Sequence, residues 1–411
     1  MQGAAEFGII SSVQPDAPLL AVVVAASPLV GHRDCSRCAG RHSVKLRLIF
    51  AATSLLLIGV PAYAQRRPAD SETPPARARL IPAPSIQFTG AVDSSSPVVW
   101  DQIDGSPALL VVTSTAGQPS RAIGEDVSHL GDPEAVQLEP WPLGGVWMEA
   151  VIPDISGAWY GFYHNELNAE ICGDVQKAFP RIGAARSEDQ GATWTNLGII
   201  FEASPDTFAC DTMNTYFVGG VGDFTAMLDA DRRDIYIYFS QYGREASQQG
   251  IGVARLPWAD ADEPVGKLTV WNDGVWLPPE AVEDENGGLR WVYPPATPIM
   301  PTKMPWHTGN IVDEFWGPSI HWNDWLHQYV MLLNRARDDT FAQEGIYVSF
   351  NTRLDAPNDW SAPVKIIDGG GWYPQVVGLE PSRGTDRWAG QVSRFFTSGG
   401  SDYLIEFLPA E

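Results

Sequence analysis

Basic residues are scarce in this sequence. Its 411 residues include 27 Lys and Arg against 50 Asp and Glu, so the formal net charge is −23. A chain this acidic repels the phosphates of nucleic acids and of anionic membranes. We therefore predict no nucleic-acid partner and expect an uncharged ligand.

Helical periodicity and several catalytic motifs are also lacking. Beyond residue 90 no segment has a persuasive helical pattern of apolar residues. The sequence has no GxSxG elbow and no phosphate-binding glycine loop, which argues against serine-hydrolase and nucleotide chemistry. It also has no HxH or HExxH spacing, so we predict no metal centre and no cofactor. A structural calcium ion held by carboxylates and carbonyls stays open as an alternative.

Small and aromatic residues are plentiful instead. The chain has 39 Gly, 33 Pro and 16 Trp, and 44% of it is hydrophobic while only 19% is charged. This composition is typical of many short strands joined by tight turns around a large core. It predicts an all-β fold.

The N-terminal region contains an export signal that is displaced from the first residue. A basic segment at 45–47, an apolar run at 48–60 and a small-x-small site at 62–64 have the order of a signal peptide. The alternative is an N-terminal extension followed by a membrane anchor, for which the run is short. We divide the chain into four segments. Residues 1–43 are an extra extension or the result of a misplaced translation start, 44–64 a signal peptide, 65–90 a flexible linker and 91–411 a folded domain.

Cysteine usage agrees with export. Cys35 and Cys38 lie upstream of the signal, and the exported part keeps only Cys172 and Cys210. Two cysteines in an oxidising compartment predict one disulfide, with two unrelated thiols as the alternative. We expect a monomer in the periplasm or outside the cell, with no membrane attachment after signal cleavage.

An internal repeat organises the folded domain. Each copy has an apolar strand, a polar turn and a second strand dense in Tyr, Phe, Val and Leu, and three copies continue into a third and fourth strand. Four strands per unit predict the blades of a β-propeller. We count five blades, with four or six left open because the terminal copies are degenerate. The five copies begin near Ser96, Trp147, Gly222, Trp316 and Tyr373.

The second copy contains a turn with a recognisable motif. Residues 187–194 read SEDQGATW and match the SxDxGxxW Asp-box. Hydroxyl and carboxylate groups accept turn N–H bonds, and glycine takes a positive φ. We therefore give Ser187, Asp189, Gly191 and Trp194 a structural role.

Two carboxylates stand at the openings of otherwise apolar first strands. Glu149 lies in WMEAV and Asp223 in VGDF, on successive copies. A carboxylate in such surroundings is costly unless it is paired, hydrated or functional. Near a propeller axis the two would form an acid and base or an acid and nucleophile pair, with a bound water cluster or cation as the alternative.

Long loops on the same face carry groups suited to sugars. Aromatic rings stack on sugar C–H surfaces, and Asn, Arg, His and carboxylates bond hydroxyls. Each of these residues also has an ordinary structural explanation. The candidates for substrate binding are His164, Asn165, Glu166, Arg181, Tyr242, His307, Glu314, Trp316, Arg335 and Tyr373.

The repeats and the two channel carboxylates resemble the five-bladed arabinanase, xylosidase and invertase clan of glycoside hydrolases. In that clan a base or nucleophile Asp, a pKa-tuning Asp and an acid Glu project from successive first strands. The resemblance implies hydrolysis of an oligo- or polysaccharide, with Glu149 as general acid and Asp223 as base, nucleophile or tuner, or the reverse. The fourth copy has no matching carboxylate, so Glu314 or Asp101 is expected to substitute.

The Asp-box and the stretch Phe179–Ile182 are similar to sialidases instead. Sialidases are six-bladed and hold an anionic sugar with three arginines. That resemblance would make Arg181 and Arg335 clamps, with Tyr242 or Tyr373 as the nucleophilic tyrosine. The third alternative is a non-catalytic propeller that binds a glycan or a protein and needs no carboxylate pair.

Overall fold

The computed structural model describes residues 77–283 and 287–409, and the side chains of residues 174 and 175 are not described. Regular structure in these ranges consists of β-strands and five single turns of 3₁₀ helix. None of the described helices is long and apolar enough to cross a membrane. The predicted extension, signal peptide and Cys35–Cys38 pair, and residues 65–76 of the predicted linker, lie outside the described residues.

Five antiparallel sheets form the blades. From the inner to the outer strand, blade 1 has Val98–Ile103, Ser106–Thr115, Gln118–Gly124 and Glu134–Ala135. Blade 2 has Gly145–Pro153, Trp159–Ala169, Asp174–Ser187 and Thr193–Phe201. Blade 3 has Val221–Leu228, Asp234–Tyr242, Gln249–Pro257, Thr269–Asn272 and Val275–Leu277. Blade 4 has Ile311–Asn323, Gln328–Asp338, Gln343–Asn351 and Val364–Asp368. Blade 5 has Gln375–Gly378, Val392–Thr397, Gly400–Leu408 and Arg77–Gln87.

Shorter elements decorate the blades. Three short strands pair with blade edges, namely Gln137–Glu139 on blade 2, Met300–Pro301 on blade 3 and Trp388–Ala389 on blade 4. A separate hairpin is formed by Glu280–Glu283 and Leu289–Val292. The 3₁₀ turns are Glu170–Cys172, Pro205–Thr207, Ala246–Gln248, Trp258–Asp260 and Pro357–Asp359.

The inner strands of successive blades contact one another from blade 1 to blade 5. The ring closes between blades 5 and 1. There the Gln375 amide accepts a hydrogen bond from the Ser96 N–H (2.7 Å) and donates one to the Ser96 carbonyl (2.9 Å). The predicted all-β propeller and its count of five blades are therefore confirmed.

One segment of the predicted linker is part of the ring. Arg77–Gln87 pairs antiparallel with Gly400–Leu408, and Arg79 is ion-paired with Glu406 at 2.6 Å. The assignment of residues 77–87 to a linker is wrong, because these residues supply the outer strand of blade 5. Their two prolines, Pro82 and Pro84, are tolerated since an outermost strand has an edge free of ladder bonds.

This strand gives a stability prediction. Leu80 is half-buried against the core between blades 4 and 5. We expect Leu80→Asp to lower the free energy of unfolding by about 2 kcal/mol, since burial of one leucine contributes about that much. Gln87→Asp, on an exposed position of the same strand, is the control and should change stability by less than about 0.5 kcal/mol. If chemical denaturation showed that neither Leu80→Asp nor Gln87→Asp changes the free energy of unfolding, the strand assignment would be contradicted.

The core lies between blades because strand side chains alternate between the two faces of a sheet. In blade 2, Phe162 packs into the cluster shared with blade 3, and its neighbour Tyr163 packs into the cluster shared with blade 1. Both side chains are almost completely buried. Each blade is therefore fixed from two sides, which makes the inner strands a rigid support for the site.

Candidate active site

The inner strands of blades 2 and 3 are irregular where their carboxylates occur. The pairing register shifts between Met148 and Ala150 in blade 2 and between Gly222 and Phe224 in blade 3. Asp223 has φ = +41°, a conformation that L residues rarely adopt. Bulges change the direction of a side chain within a strand, and strained backbone is concentrated at functional sites. Glu149 and Asp223 occupy equivalent bulges on adjacent blades.

His164 connects these two carboxylates to a third. The Phe224 N–H donates to Glu149 Oε2 (2.7 Å), and the Asp223 N–H donates to His164 Nδ1 (3.0 Å). His164 Nε2 lies 3.1 Å from Glu166 Oε1. Because Nδ1 accepts a hydrogen bond, the neutral imidazole carries its proton on Nε2 and donates it to Glu166.

Burial dominates the ionisation of this cluster. It raises the pKa of Glu149 to about 8, with Asp223 adding to the rise and His164 opposing it. It also raises the pKa of Asp223, against the lowering effects of His164 and of the Tyr242 hydrogen bond. Burial lowers the pKa of His164, whereas Glu166, Asp223 and Glu149 raise it. Because Nδ1 accepts the backbone N–H of Asp223, the ring is neutral in this arrangement. At neutral pH Glu149 is therefore largely uncharged.

Two tyrosines hold Asp223 from the other side. The Tyr242 hydroxyl donates to Asp223 Oδ2 at 2.5 Å, and the Tyr373 hydroxyl also lowers the pKa of this carboxyl. Tyr242 is fully buried. The carboxyl of Asp223 is thus held in one orientation, as a group that reacts with a bound substrate must be.

Asp223 faces a pocket with a volume of ≈ 150 Å³. Aromatic and acidic side chains from several blades and their loops form its wall. Glu149 is not part of the wall and lies behind Asp223. The lining residues are Asp93, Trp147, Glu166, Tyr216, Phe217, Asp223, Trp316, Phe341, Trp372 and Tyr373.

Asp93 is a pocket carboxylate that the sequence analysis missed. It precedes the inner strand of blade 1, lines the pocket and keeps solvent exposure. The walls around it are nevertheless close enough that partial burial, with the charges of Asp223 and Glu166, raises its pKa to about 6. The available signal was its position three residues before the first repeat copy, which begins at Ser96.

The predicted site residues divide into three groups. Glu166, Asp223, Trp316 and Tyr373 line the pocket. Glu149, His164 and Tyr242 support Asp223 from behind. The residues that do not line the pocket and have other environments are Asn165, Arg181, His307, Glu314, Arg335 and Asp101.

The two predicted arginine clamps are bound elsewhere. Arg181 donates to Asn165 Oδ1 (2.7 Å) and to Glu202 Oε2 (2.9 Å). Arg335 donates to both carboxylate oxygens of Asp313, at 2.6 and 2.8 Å. Neither guanidinium reaches the pocket, so the arginine arrangement of a sialidase is not present there.

The remaining candidates are structural. The amide of Asn165 also donates to the carbonyls of Leu143 and Gly145. His307 contacts the Thr212 hydroxyl through Nδ1 (2.5 Å) and the Tyr242 carbonyl through Nε2 (2.9 Å), and burial lowers its pKa. Glu314 is buried outside the pocket, and burial raises its pKa well above the ordinary value.

A bound metal ion is a poor fit to this cluster. Glu149, His164 and Asp223 each offer a ligand atom, and these atoms lie within 4.8 Å of one another. A histidine ligand needs a free lone pair, however, and the Nδ1 lone pair of His164 accepts the Asp223 N–H. We therefore assign no catalytic step to a metal at this position.

The SEDQGATW turn lies away from the pocket, between the two outer strands of blade 2. Ser187 Oγ accepts the Gly191 N–H (2.9 Å), and Asp189 Oδ1 accepts the Thr193 N–H (2.9 Å). Trp194 is buried and donates its indole N–H to the Gly191 carbonyl. These contacts hold the turn and the outer edge of the blade.

The predicted disulfide between Cys172 and Cys210 is confirmed. It joins two loops, and the second of these continues to Tyr216 and Phe217, which line the pocket. The bridge closes a separation of 38 residues, for which we expect about 2–4 kcal/mol of stabilisation. Thermal unfolding with and without a thiol reductant measures this contribution, and the Cys172→Ser/Cys210→Ser variant should be insensitive to the reductant. An unchanged melting temperature of the native protein on full reduction would contradict the expectation.

Comparisons with known proteins concern the fold. No family model and no curated protein matches the chain. Among solved structures, an endo-arabinase from Bacteroides thetaiotaomicron is 13% identical, with 79% of this chain and 97% of that chain covered and a TM-score of 0.44. A thermostable family-43 glycoside hydrolase is 13% identical over 78% of this chain and 91% of its own, with a TM-score of 0.40. The catalytic domain of a GH62 alpha-L-arabinofuranosidase from Coprinopsis cinerea is 11% identical over 81% and 97%, with a TM-score of 0.40. This chain is similar to these glycoside hydrolases in its fold.

Proposed function

We propose that this protein is an exported glycoside hydrolase whose pocket holds one sugar residue between aromatic rings and the carboxyl groups of Asp93 and Asp223. The observation that carries the proposal is the convergence of two carboxyls with raised pKa values on one aromatic pocket. Glycoside hydrolysis requires an acid to protonate the leaving oxygen and a carboxylate to act as base or nucleophile.

The surroundings of the two carboxyls separate their roles. Asp223 is buried, and burial raises its pKa, so we assign it the role of the general acid. Asp93 is open to solvent and has a pKa of about 6, so it is mostly ionised at neutral pH and acts as base or nucleophile. Asp223 protonates the glycosidic oxygen as its bond to the anomeric carbon breaks and the leaving alcohol departs. Asp93 either takes a proton from the water that attacks this carbon, or attacks it and forms a glycosyl ester that water then hydrolyses with Asp223 as the base.

Glu149 takes a different role from the general acid expected from the sequence. It does not line the pocket, so we propose that it acts through Asp223 as a positioning and pKa-tuning residue. Its protonated carboxyl places no negative charge beside Asp223, and it accepts the N–H of Phe224, the residue after Asp223. Three carboxyl groups therefore take part in the proposed reaction, those of Asp93, Glu149 and Asp223, which belong to blades 1, 2 and 3 respectively.

Export is part of the proposal. The Cys172–Cys210 disulfide supports it, because such bonds persist in the periplasm and outside the cell. We place the protein in one of these two compartments as a monomer that acts on oligo- or polysaccharides.

Hydrolysis of a broad set of glycans tests the function. Residues 65–411 are incubated with plant, microbial and sialylated oligosaccharides and with aryl glycosides, and the released sugars are quantified. We expect cleavage of at least one class, a loss of roughly 10²–10⁴-fold in Asp93→Asn, and full activity in Asp101→Asn, a carboxylate of the same blade outside the pocket. Binding without cleavage, equal in all three proteins, would favour the glycan-binding alternative.

A further inference from the structure

The wall of the pocket has an unusual chemical composition. Seven of its ten described lining residues are aromatic and the other three are Asp93, Glu166 and Asp223, so that no Lys, Arg, Asn or Gln of the described part of the chain contributes. Neutral sugars are normally oriented by carboxylates in combination with amide and guanidinium groups, which together bond their hydroxyls. Here the polar groups of the wall are the carboxyl groups, the tyrosine hydroxyls and the indole N–H groups of the tryptophans.

The aromatic rings meet at right angles and form corners. Trp316 lies edge-on to Trp372 (5.8 Å, 83°) and to Tyr373 (5.7 Å, 84°). Tyr216 lies edge-on to Trp372 (6.1 Å, 89°). Rings in this arrangement present faces on several sides of one space, which is the geometry of the aromatic cages that bind ammonium groups.

The acidic residues exceed the number that catalysis requires. Hydrolysis uses Asp93 and Asp223, whereas Glu166 contributes a further carboxylate to the same space. Among the described groups that act on these three carboxyls, the one basic side chain is His164, which donates to Glu166 and is neutral while its Nδ1 accepts the Asp223 N–H. The overall charge of −23 reinforces the negative potential. The pocket therefore attracts a cation and repels uronic and sialic acids.

We propose that the sugar held in this pocket is a protonated amino sugar, such as a glucosamine or galactosamine residue with a free amine. This inference rests on the proposed function and goes beyond it, because the function alone requires no charge on the sugar. The ammonium group lies against the aromatic faces and Glu166. A space of ≈ 150 Å³ takes one six-membered ring, so the amino sugar in the pocket is the terminal residue of its oligosaccharide.

Calorimetric binding of three matched methyl glycosides tests the proposal, using the exported chain. They carry a free amine, an N-acetyl group or a hydroxyl at the same carbon, and tetramethylammonium serves as a cation without a sugar. We expect the amine to bind at least tenfold more tightly than both neutral sugars and more tightly than tetramethylammonium. The preference should decrease with added salt.

Two variants locate the preference. Glu166→Gln and Trp372→Leu should each reduce binding of the amine about tenfold or more and change binding of the hydroxyl sugar much less. The controls are Glu280→Gln and Trp325→Leu, both exposed and outside the pocket, which should behave as the native protein does. Equal binding of amine and neutral sugars, or a preference that survives in Glu166→Gln, would overturn the proposal.

The same measurements separate this inference from the proposed function. Cleavage of neutral glycosides without any preference for amines overturns the amino-sugar assignment and leaves the hydrolase intact. Selective binding of the amine without cleavage of any glycan supports the assignment and contradicts the hydrolase. Tighter binding of tetramethylammonium than of the amino sugar overturns the assignment, because the pocket would then select a cation that is not a sugar.

Discussion

Replacing Asp223 by Asn lowers kcat roughly 10²–10⁴-fold while the substrate still binds, because the general acid is lost and the shape of the pocket is kept. Asn is well matched to this position. It tolerates the positive φ of residue 223, and its side-chain oxygen can still accept the hydrogen bond from Tyr242. The loss therefore reports on proton transfer and not on unfolding.

The activity that each variant retains should depend on the leaving group of the substrate. An aryl glycoside with a good leaving group needs little protonation, so Asp223→Asn should retain much more activity on it than on an oligosaccharide. Asp93→Asn should lose activity on both, since attack at the anomeric carbon is required in each case. If Asp223→Asn lost activity equally on both substrates and Asp93→Asn spared one, the two roles would have to be exchanged.

Glu149→Gln stabilises the protein at alkaline pH. The pKa of Glu149 is about 8 in the folded protein and about 4.5 in the unfolded chain, so the folded state favours the protonated form. Stability from this group is fully present below pH 4.5 and is lost as the pH rises towards 8. The glutamine stays uncharged and can accept the Phe224 N–H. We therefore expect the free energy of unfolding of the variant to exceed that of the native protein by about 2–4 kcal/mol at pH 8 and to equal it near pH 4.

Urea unfolding at a series of pH values measures this difference. Parallel curves for the native protein and Glu149→Gln between pH 4 and 8 would show that Glu149 does not take up a proton on folding. The variant also tests the positioning role, since loss of the coupled carboxyl should move the pH–rate profile. A simple loss of rate at every pH would indicate a structural effect alone.

The blades could be read from the sequence because each repeat copy carries its own strand pair, and most pairings are between neighbours in the chain. The outer strand of blade 5 could not, since its partner lies more than 300 residues away and its prolines are typical of a linker. A position at the edge of a sheet permits those prolines. Local pattern therefore predicted every blade but not the strand that closes the ring.

The site was predictable in part for a similar reason. Glu149 and Asp223 were conspicuous as carboxylates in apolar strands, and the structure brings them together. Which of them faces the pocket depends on the bulges and on the packing of blades, and neither is visible in residue types. Arg181 and Arg335 were misjudged because their acidic partners, Glu202 and Asp313, are 21 and 22 positions away in the chain.

A crystal structure of Asp223→Asn with an oligosaccharide that the native protein cleaves tests the central claim most directly. We predict that the glycosidic oxygen lies within hydrogen-bonding distance of residue 223, with the terminal sugar against Trp316 and Trp372 and its anomeric carbon facing Asp93. An oligosaccharide bound elsewhere on the propeller, with the pocket of Asp93 and Asp223 left free, would contradict the account.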